Sequence, residues 1–89
     1  MRLIFSQKAW DDDLFWQDRD PSVLVRINSL VKQASRTPFA GIGKPEPLSG
    51  NLKGYWSRRI TREHRLVYGV SGKGEAQSLE IIACRFHCD

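Results

Sequence analysis

Apolar positions along the chain follow two different periods, and the change between them divides it. From Pro21 onward Val23, Ile27, Leu30 and Ala34 recur at helical spacing, with Leu24 and Val31 beside them. That is the stripe of a helix that buries one face. Asp20 suits its N-cap, and Pro21 suits the first helical position, where a missing N–H costs nothing. Ahead of it, Arg2 to Phe5 reads as a short strand and Ser6 as the cap of an earlier helix. Trp10, Leu14 and Phe15 are expected to give that earlier helix its apolar side. Asp11, Asp12 and Asp13 fall in its early turns, where carboxylates suit the positive end of the helix dipole, and they are expected on the surface.

Between Arg36 and Gly50 neither period survives. The stretch RTPFAGIGKPEPLSG contains Pro38, Pro45, Pro47, Gly41, Gly43 and Gly50, so neither helix nor strand is expected to run through it. A loop of this length in a small domain is usually functional when its shape is held, and prolines stiffen this one. Glu46 stands between two of them, its backbone pre-set by its neighbours.

From Leu52 the period becomes two. Tyr55 to Ile60 and Arg65 to Val70 read as strands joined by the hairpin-sized Thr61-Arg62-Glu63-His64. Ser71-Gly72-Lys73-Gly74 is a second turn, and Ser78 to His87 is the last strand. Arg65, Val67 and Gly69 share one face, and Leu66, Tyr68 and Val70 the other. On the last strand Leu79, Ile81, Ala83, Arg85 and His87 oppose Ile82, Cys84 and Phe86. Both faces are apolar in the middle, so one is expected to pack on the helices and the other to line a partly apolar cleft. The whole is a single α+β domain over residues 1–89: a short N-terminal strand, two helices, then a twisted antiparallel sheet.

Composition adds little to this picture, and charge adds much. With 40% hydrophobic and 27% charged residues the chain is an ordinary globular one. No apolar run approaches the roughly 20 residues of a membrane span, and Met1 to Ile4 is too short for a signal core, so a cytoplasmic location is expected. The net charge is +4. The stretch from Asn51 to Tyr68 supplies all of it, setting Lys53, Arg58, Arg59, Arg62 and Arg65 against the single acid Glu63. Such an excess suits a polyanion or an acidic protein, the plain alternative being a solvated basic face. Cys84 and Cys88 would stand roughly 13 Å apart on an extended strand, beyond disulfide reach. With His64 and His87 they suffice in number for zinc, but no paired ligand spacing exists and Cys84 and His87 fall on opposite strand faces. No metal or other cofactor is expected.

Polar chemistry gathers at strand ends: Arg65 opens one strand and His87 closes the last, and antiparallel neighbours can bring those ends together. Glu46 from the stiff loop completes a set of carboxylate, imidazole and guanidiniums. Those types suit metal-free RNA cleavage, in which a base deprotonates a 2′-OH, an acid protonates the leaving 5′-oxygen, and cations stabilise the charge between them.

The segment KPEPLSGNLKGYWSRRITREHRLVY, the closing IIACRFH, and the earlier WDDDLFWQ and RTPFAGIGKPEPL resemble the YoeB branch of the RelE/ParE toxin superfamily over almost the whole chain. The resemblance implies the toxin of a bacterial type II toxin–antitoxin pair, a ribosome-dependent endoribonuclease that cuts mRNA in the ribosomal A site. It also implies a YefM-like antitoxin as partner, and leaves monomer and homodimer both open. Carried over, Glu46 is the base, Arg65 stabilises the scissile phosphate, His87 is the acid, and Arg58 and Arg59 contact phosphate. Lys53 and Arg62 join them on charge alone. Two other readings of the fold are a ParE-like inhibitor that blocks its target without cutting, and a basic domain whose business is pairing with an acidic partner.

The chain departs from the family in two places. Ser49 stands where the family often has a cation, and Cys88 stands where the family has a tyrosine beside the RNA. A thiol cannot stack on a base, and Asp89 adds negative charge nearby. Cys88→Tyr is therefore expected to raise mRNA cleavage, measured by primer extension on translated transcripts; an unchanged or lower rate would count against the resemblance at this position.

Overall fold

The computed structural model describes residues 1–86. Its elements are β1 (Arg2–Phe5), α1 (Gln7–Arg19), α2 (Pro21–Arg36), β2 (Glu46–Pro47), β3 (Trp56–Arg59), β4 (Arg65–Ser71) and β5 (Ser78–Ala83), with single 3-10 turns at Gly50–Leu52 and Gly74–Ala76. The strands form one sheet in the order β1-β5-β4-β3-β2. The pairs from β2 to β5 are antiparallel, whereas β1 runs parallel to β5. The expected α+β architecture is present with a mixed sheet: the two helices between β1 and the hairpins let the first strand lie beside the last in the same direction. Strand period carries no information about that direction. No helix of the described residues is long and apolar enough to cross a membrane.

Both expected caps form. Ser6 Oγ accepts from the Ala9 N–H, and Asp20 accepts from the Ser22 N–H ahead of Pro21. In α2 the buried residues are Ile27, Leu30, Val31 and Ala34, as the helical stripe predicts. In α1 they are Ala9, Asp12 and Trp16. Trp10 and Leu14, expected to be the apolar side, are instead 51% and 41% exposed. The inward stripe of α1 is set by what it meets. Trp16 donates its Nε1–H to the Cys84 carbonyl at 2.8 Å, and Asp12 accepts the Cys84 N–H at 3.0 Å. Asp12, expected on the surface, is thus a buried acceptor, its charge met by Lys8 at 3.0 Å. Positions 9, 12 and 16 fall at i, i+3 and i+7, the spacing of one helix face.

The sheet has a core on each side. Toward the helices lie Leu66, Tyr68, Leu79, Ile81 and Cys84 with Ala9, Trp16, Ile27, Leu30 and Ala34. On the outer side the segment between β2 and β3 folds over Val67 and Ala83, packing Leu48, Leu52 and Tyr55 against them beside Ile82 of β5. The outer face is thus partly apolar, and the chain itself covers it at Val67 and Ala83.

The stiff loop holds one strand after all. Glu46 and Pro47 pair with Ser57 and Trp56 at the sheet edge, where a proline gives up no ladder bond. The last strand ends earlier than its composition suggests. Tyr68 pairs with Ile81 but Val67 pairs with Ala83, so Ile82 is an extra residue in a β-bulge. The bulge turns Ala83 to the outer face and Cys84 to the inner core, where uninterrupted alternation would have kept Ala83 with Leu79 and Ile81. Phe86 then adopts φ +61°, left-handed for a bulky residue.

Burial, joined by the nearby Asp12 and Asp13 carboxylates, pushes the Cys84 thiol up to about 12. A group that holds its proton more tightly when folded stabilises the fold below its ordinary ionisation range, and loses that contribution as pH rises. The stability advantage of the parent chain over Cys84→Ala should therefore shrink between about pH 9 and pH 12 in denaturant titrations. A constant difference across that window would contradict the burial of this thiol.

Candidate active site

Strand β3 carries two adjacent arginines, and the period of two sends them to opposite faces. Arg58 shares the inner face with Trp56 and Ile60 and is fully buried. Its Nε donates to Tyr68 Oη at 3.0 Å, one terminal nitrogen to Gln33 Oε1 at 3.1 Å and the Ile42 carbonyl at 3.2 Å, the other to the Thr37 and Ala40 carbonyls at 2.6 and 3.0 Å. All five donors of the guanidinium are used. Tyr68 Oη in turn donates to the Pro38 carbonyl at 2.6 Å. Burial pushes that phenol's pKa up, against the hydrogen bond and positive charge of Arg58. The expectation that Arg58 contacts phosphate is corrected here: a fully enclosed guanidinium with every N–H engaged has nothing to offer a ligand. The signal was present in the chain, because Trp56, Arg58 and Ile60 alternate as one face.

What Arg58 holds is the loop. Thr37 to Ile42 wrap around the guanidinium, and the Gln33 side chain also accepts the Ile42 N–H. Gly41 has φ +117° and lies against the Gln33 amide, so a Cβ there would have no room. From this anchor the chain runs to β3, where the Gly43 carbonyl accepts the Arg59 N–H at 2.7 Å. Glu46 is thereby delivered opposite Ser57.

On the outer face Arg59 stands opposite Arg65 in the β3–β4 ladder. Direct partners have Cβ atoms about 5 Å apart, and like charges there repel. Glu46, opposite Ser57, is the diagonal neighbour of Arg59 on the same face, at about 7–8 Å by ladder geometry, and Arg65 lies one strand further away. Glu46 and Arg59 are exposed and Arg65 is half-buried. Among the described residues none of the three side chains has a hydrogen bond or ion pair. Two guanidiniums and a carboxylate thus share one accessible surface, open to an anion. Lys53 and Arg62 are exposed in the turns that precede and follow β3, at opposite ends of that strand. Arg62 lies at the Arg59–Arg65 end and Lys53 at the other, so the structure does not bring these two together.

The C-terminal segment returns to the same place. After the bulge, the Arg65 N–H donates to the Phe86 carbonyl at 3.0 Å. The Phe86 N–H donates to His64 Nδ1 at 2.7 Å. Residue 86 is thus bound beside Arg65; His87 and Cys88, expected as acid and RNA contact, lie outside the described residues. His64 was legible only as a metal ligand by number, because its partner is 22 positions away.

Comparison with known proteins gives a consistent family. The model of the YoeB-like toxin of bacterial type II toxin-antitoxin system matches residues 5–88. The toxin YoeB of Escherichia coli is 56% identical over 87 residues, spanning 98% of this chain and 99% of that protein. Among solved structures, the YoeB/ParE toxin from Agrobacterium tumefaciens superposes at TM-score 0.94 and 58% identity, with 99% of this chain and 100% of that one covered. YoeB from Staphylococcus aureus has been solved in a heterotetrameric complex with YefM, at TM-score 0.86 and 40% identity over 99% of this chain and 98% of that one. The same toxin has also been solved as a dimer.

The two arginines of β3 should separate in experiment. Arg58→Met is expected to cost about 3 kcal/mol or more in chemical denaturation, because the Thr37, Ala40 and Ile42 carbonyls lose their charged donor. Arg59→Ala should stay within about 0.5 kcal/mol of the parent, or gain slightly from relieved repulsion. Equal effects would overturn the inward and outward assignment.

Proposed function

The chain belongs to the YoeB-like toxins of bacterial type II toxin–antitoxin systems, and on that footing we propose that it is a ribosome-dependent endoribonuclease acting on mRNA in the ribosomal A site. The observation that carries this reading is the pair Arg59 and Arg65, opposed on an accessible face with Glu46 beside them. Repulsion between two cations is a poor device for stability and a good one for binding a phosphodiester.

In the proposed reaction Glu46 takes the proton of a 2′-OH. The freed oxygen attacks the adjacent phosphorus as the bond to the 5′-oxygen breaks. Arg65, with Arg59 opposite, neutralises charge on the non-bridging oxygens. His87 gives its proton to the departing 5′-oxygen, leaving a 2′,3′-cyclic phosphate and a 5′-hydroxyl. Side chains alone supply the base, the acid and the countercharge. A non-cleaving inhibitor on this fold would have no use for a carboxylate beside the cations.

A YefM-like antitoxin is the proposed partner, as for the Staphylococcus aureus relative. Antitoxin carboxylates and RNA phosphates would then occupy the same guanidiniums in turn.

Glu46→Gln, Arg65→Ala and His87→Gln test the assignment one residue at a time. Each acid–base variant is expected to cut ribosome-bound mRNA about 10²–10⁴-fold more slowly, and Arg65→Ala about 10²–10³-fold. All three should still fold and be captured by antitoxin. Full toxicity and undiminished transcript cleavage in all three variants would end the nuclease reading.

A further inference from the structure

Two consecutive residues hold both backbone polar groups of residue 86. The Arg65 N–H donates to its carbonyl, and its own N–H donates to the side chain of His64 at Nδ1, 2.7 Å away. A backbone N–H can only donate, so Nδ1 must present a lone pair and the ring proton sits on Nε2. The ring is itself held from three sides. Trp16 meets it edge-on at 4.7 Å between centroids, and Phe86 packs on it at 4.7 Å. From behind, the β3–β4 turn fixes its backbone: the Thr61 hydroxyl accepts the His64 N–H, and the His64 carbonyl accepts the N–H groups of Ile60 and Thr61.

The segment that this ring receives is anchored just upstream by α1. Asp12 accepts the Cys84 N–H, Trp16 donates to the Cys84 carbonyl, and Arg85 lies 3.5 Å over the Phe15 ring. Only after these contacts does Phe86 take its left-handed φ of +61°. That conformation is sparsely populated for a bulky side chain and persists only where its surroundings impose it. Among the described residues, the two hydrogen bonds to residues 64 and 65 are what hold the Phe86 backbone. Its φ and ψ set the direction in which the chain leaves toward position 87.

We propose that His64 is a positioning residue for the cleavage reaction: through Nδ1 it locks the backbone of Phe86 beside Arg65, and so directs the chain that carries His87. This rests on the nuclease reading above, in which His87 is the acid. His64 does not touch the phosphate in this role; its contribution is to orient the residue that does.

The role separates from packing by two substitutions. His64→Phe keeps an aromatic ring against Trp16 and Phe86 but offers no acceptor. His64→Asn gives up the ring while its Oδ1 can occupy the place of Nδ1. In single-turnover cleavage of ribosome-bound mRNA, His64→Phe is expected to slow the chemical step about 10–100-fold, the scale of misplacing a reacting group. The toxin concentration at half-saturation should be unchanged, and His64→Asn should recover most of the lost rate. Cleavage by His64→Phe at the parent rate overturns the proposal, and so does a His64→Asn variant as slow as His64→Phe. Should either variant fail to fold, the parent chain decides alone: nitrogen-15 NMR must show His64 Nδ1 unprotonated and Nε2 protonated, and the opposite tautomer refutes the lock. A parent chain that cuts no mRNA defeats the nuclease reading and this one with it. Parent cleavage with His64→Phe unimpaired defeats only the His64 assignment.

Discussion

A guanidinium buried without a carboxylate organises this fold. Arg58 carries a full charge into the space between the sheet and α2, and its compensation is entirely dipolar: three backbone carbonyls, one amide oxygen and one phenol. An unpaired buried charge would cost several kcal/mol, so these acceptors cannot drift without forcing the arginine out or the loop open. Because the carbonyls belong to Thr37, Ala40 and Ile42, the charge fixes a segment that has almost no apolar anchor of its own. Phe39, at its tip, packs against Trp56 and remains 54% exposed. The loop is held by its backbone from within, and it delivers Glu46 to the edge strand as a consequence.

A second anchor works from the other end of the chain. Asp12 and Trp16, one turn apart on α1, engage the N–H and the carbonyl of Cys84. This is ladder-type bonding supplied by side chains after the β-ladder has ended at Ala83. The bulge at Ile82 makes it necessary, since it removes the last residues of the strand from register. It also turns the segment across the start of β4, where Arg65 and His64 receive it. Loop and tail therefore reach the Arg59–Arg65 ladder from opposite sides, each tied to a different helix. The accessible face between them is built from three sequence-distant pieces with little freedom to separate.

How far the chain itself announces this depends on the range of the forces involved. Local signals were readable. Ser6 and Asp20 cap their helices, α2 buries its stripe, and the turn residues at 61–64 and 71–74 separate the strands where composition places them. Long-range choices were not. Nothing in the period of Arg2–Phe5 states that β1 lies parallel to β5, and nothing near Asp12 states that Cys84 needs an acceptor. The bulge breaks the very alternation by which Ser78 to His87 was read. The candidate site was legible as a set of residue types, and Glu46, Arg59 and Arg65 do share one face. Carrying over the WSRR motif as a pair misplaces Arg58, although Trp56 and Ile60 on either side mark its face as the inner one.

That pair of neighbours shows how one strand separates two uses of the same side chain. Turned inward, a guanidinium meets a low-dielectric interior, where interactions with dipoles are strong and an absent partner is costly. It becomes a fixed structural cation, with its donors spent. Turned outward beside a second arginine, the same group sits in water, where repulsion between unit charges at about 4 Å is only about 1 kcal/mol. The fold can tolerate that strain, and among the described residues nothing takes up the donors. Were a diester phosphate to sit between Arg59 and Arg65, as the proposed reaction requires, the local dielectric would fall and the attraction to both cations would grow together. Binding would then draw on a repulsion that the inner core, satisfied by its own carbonyls, does not feel.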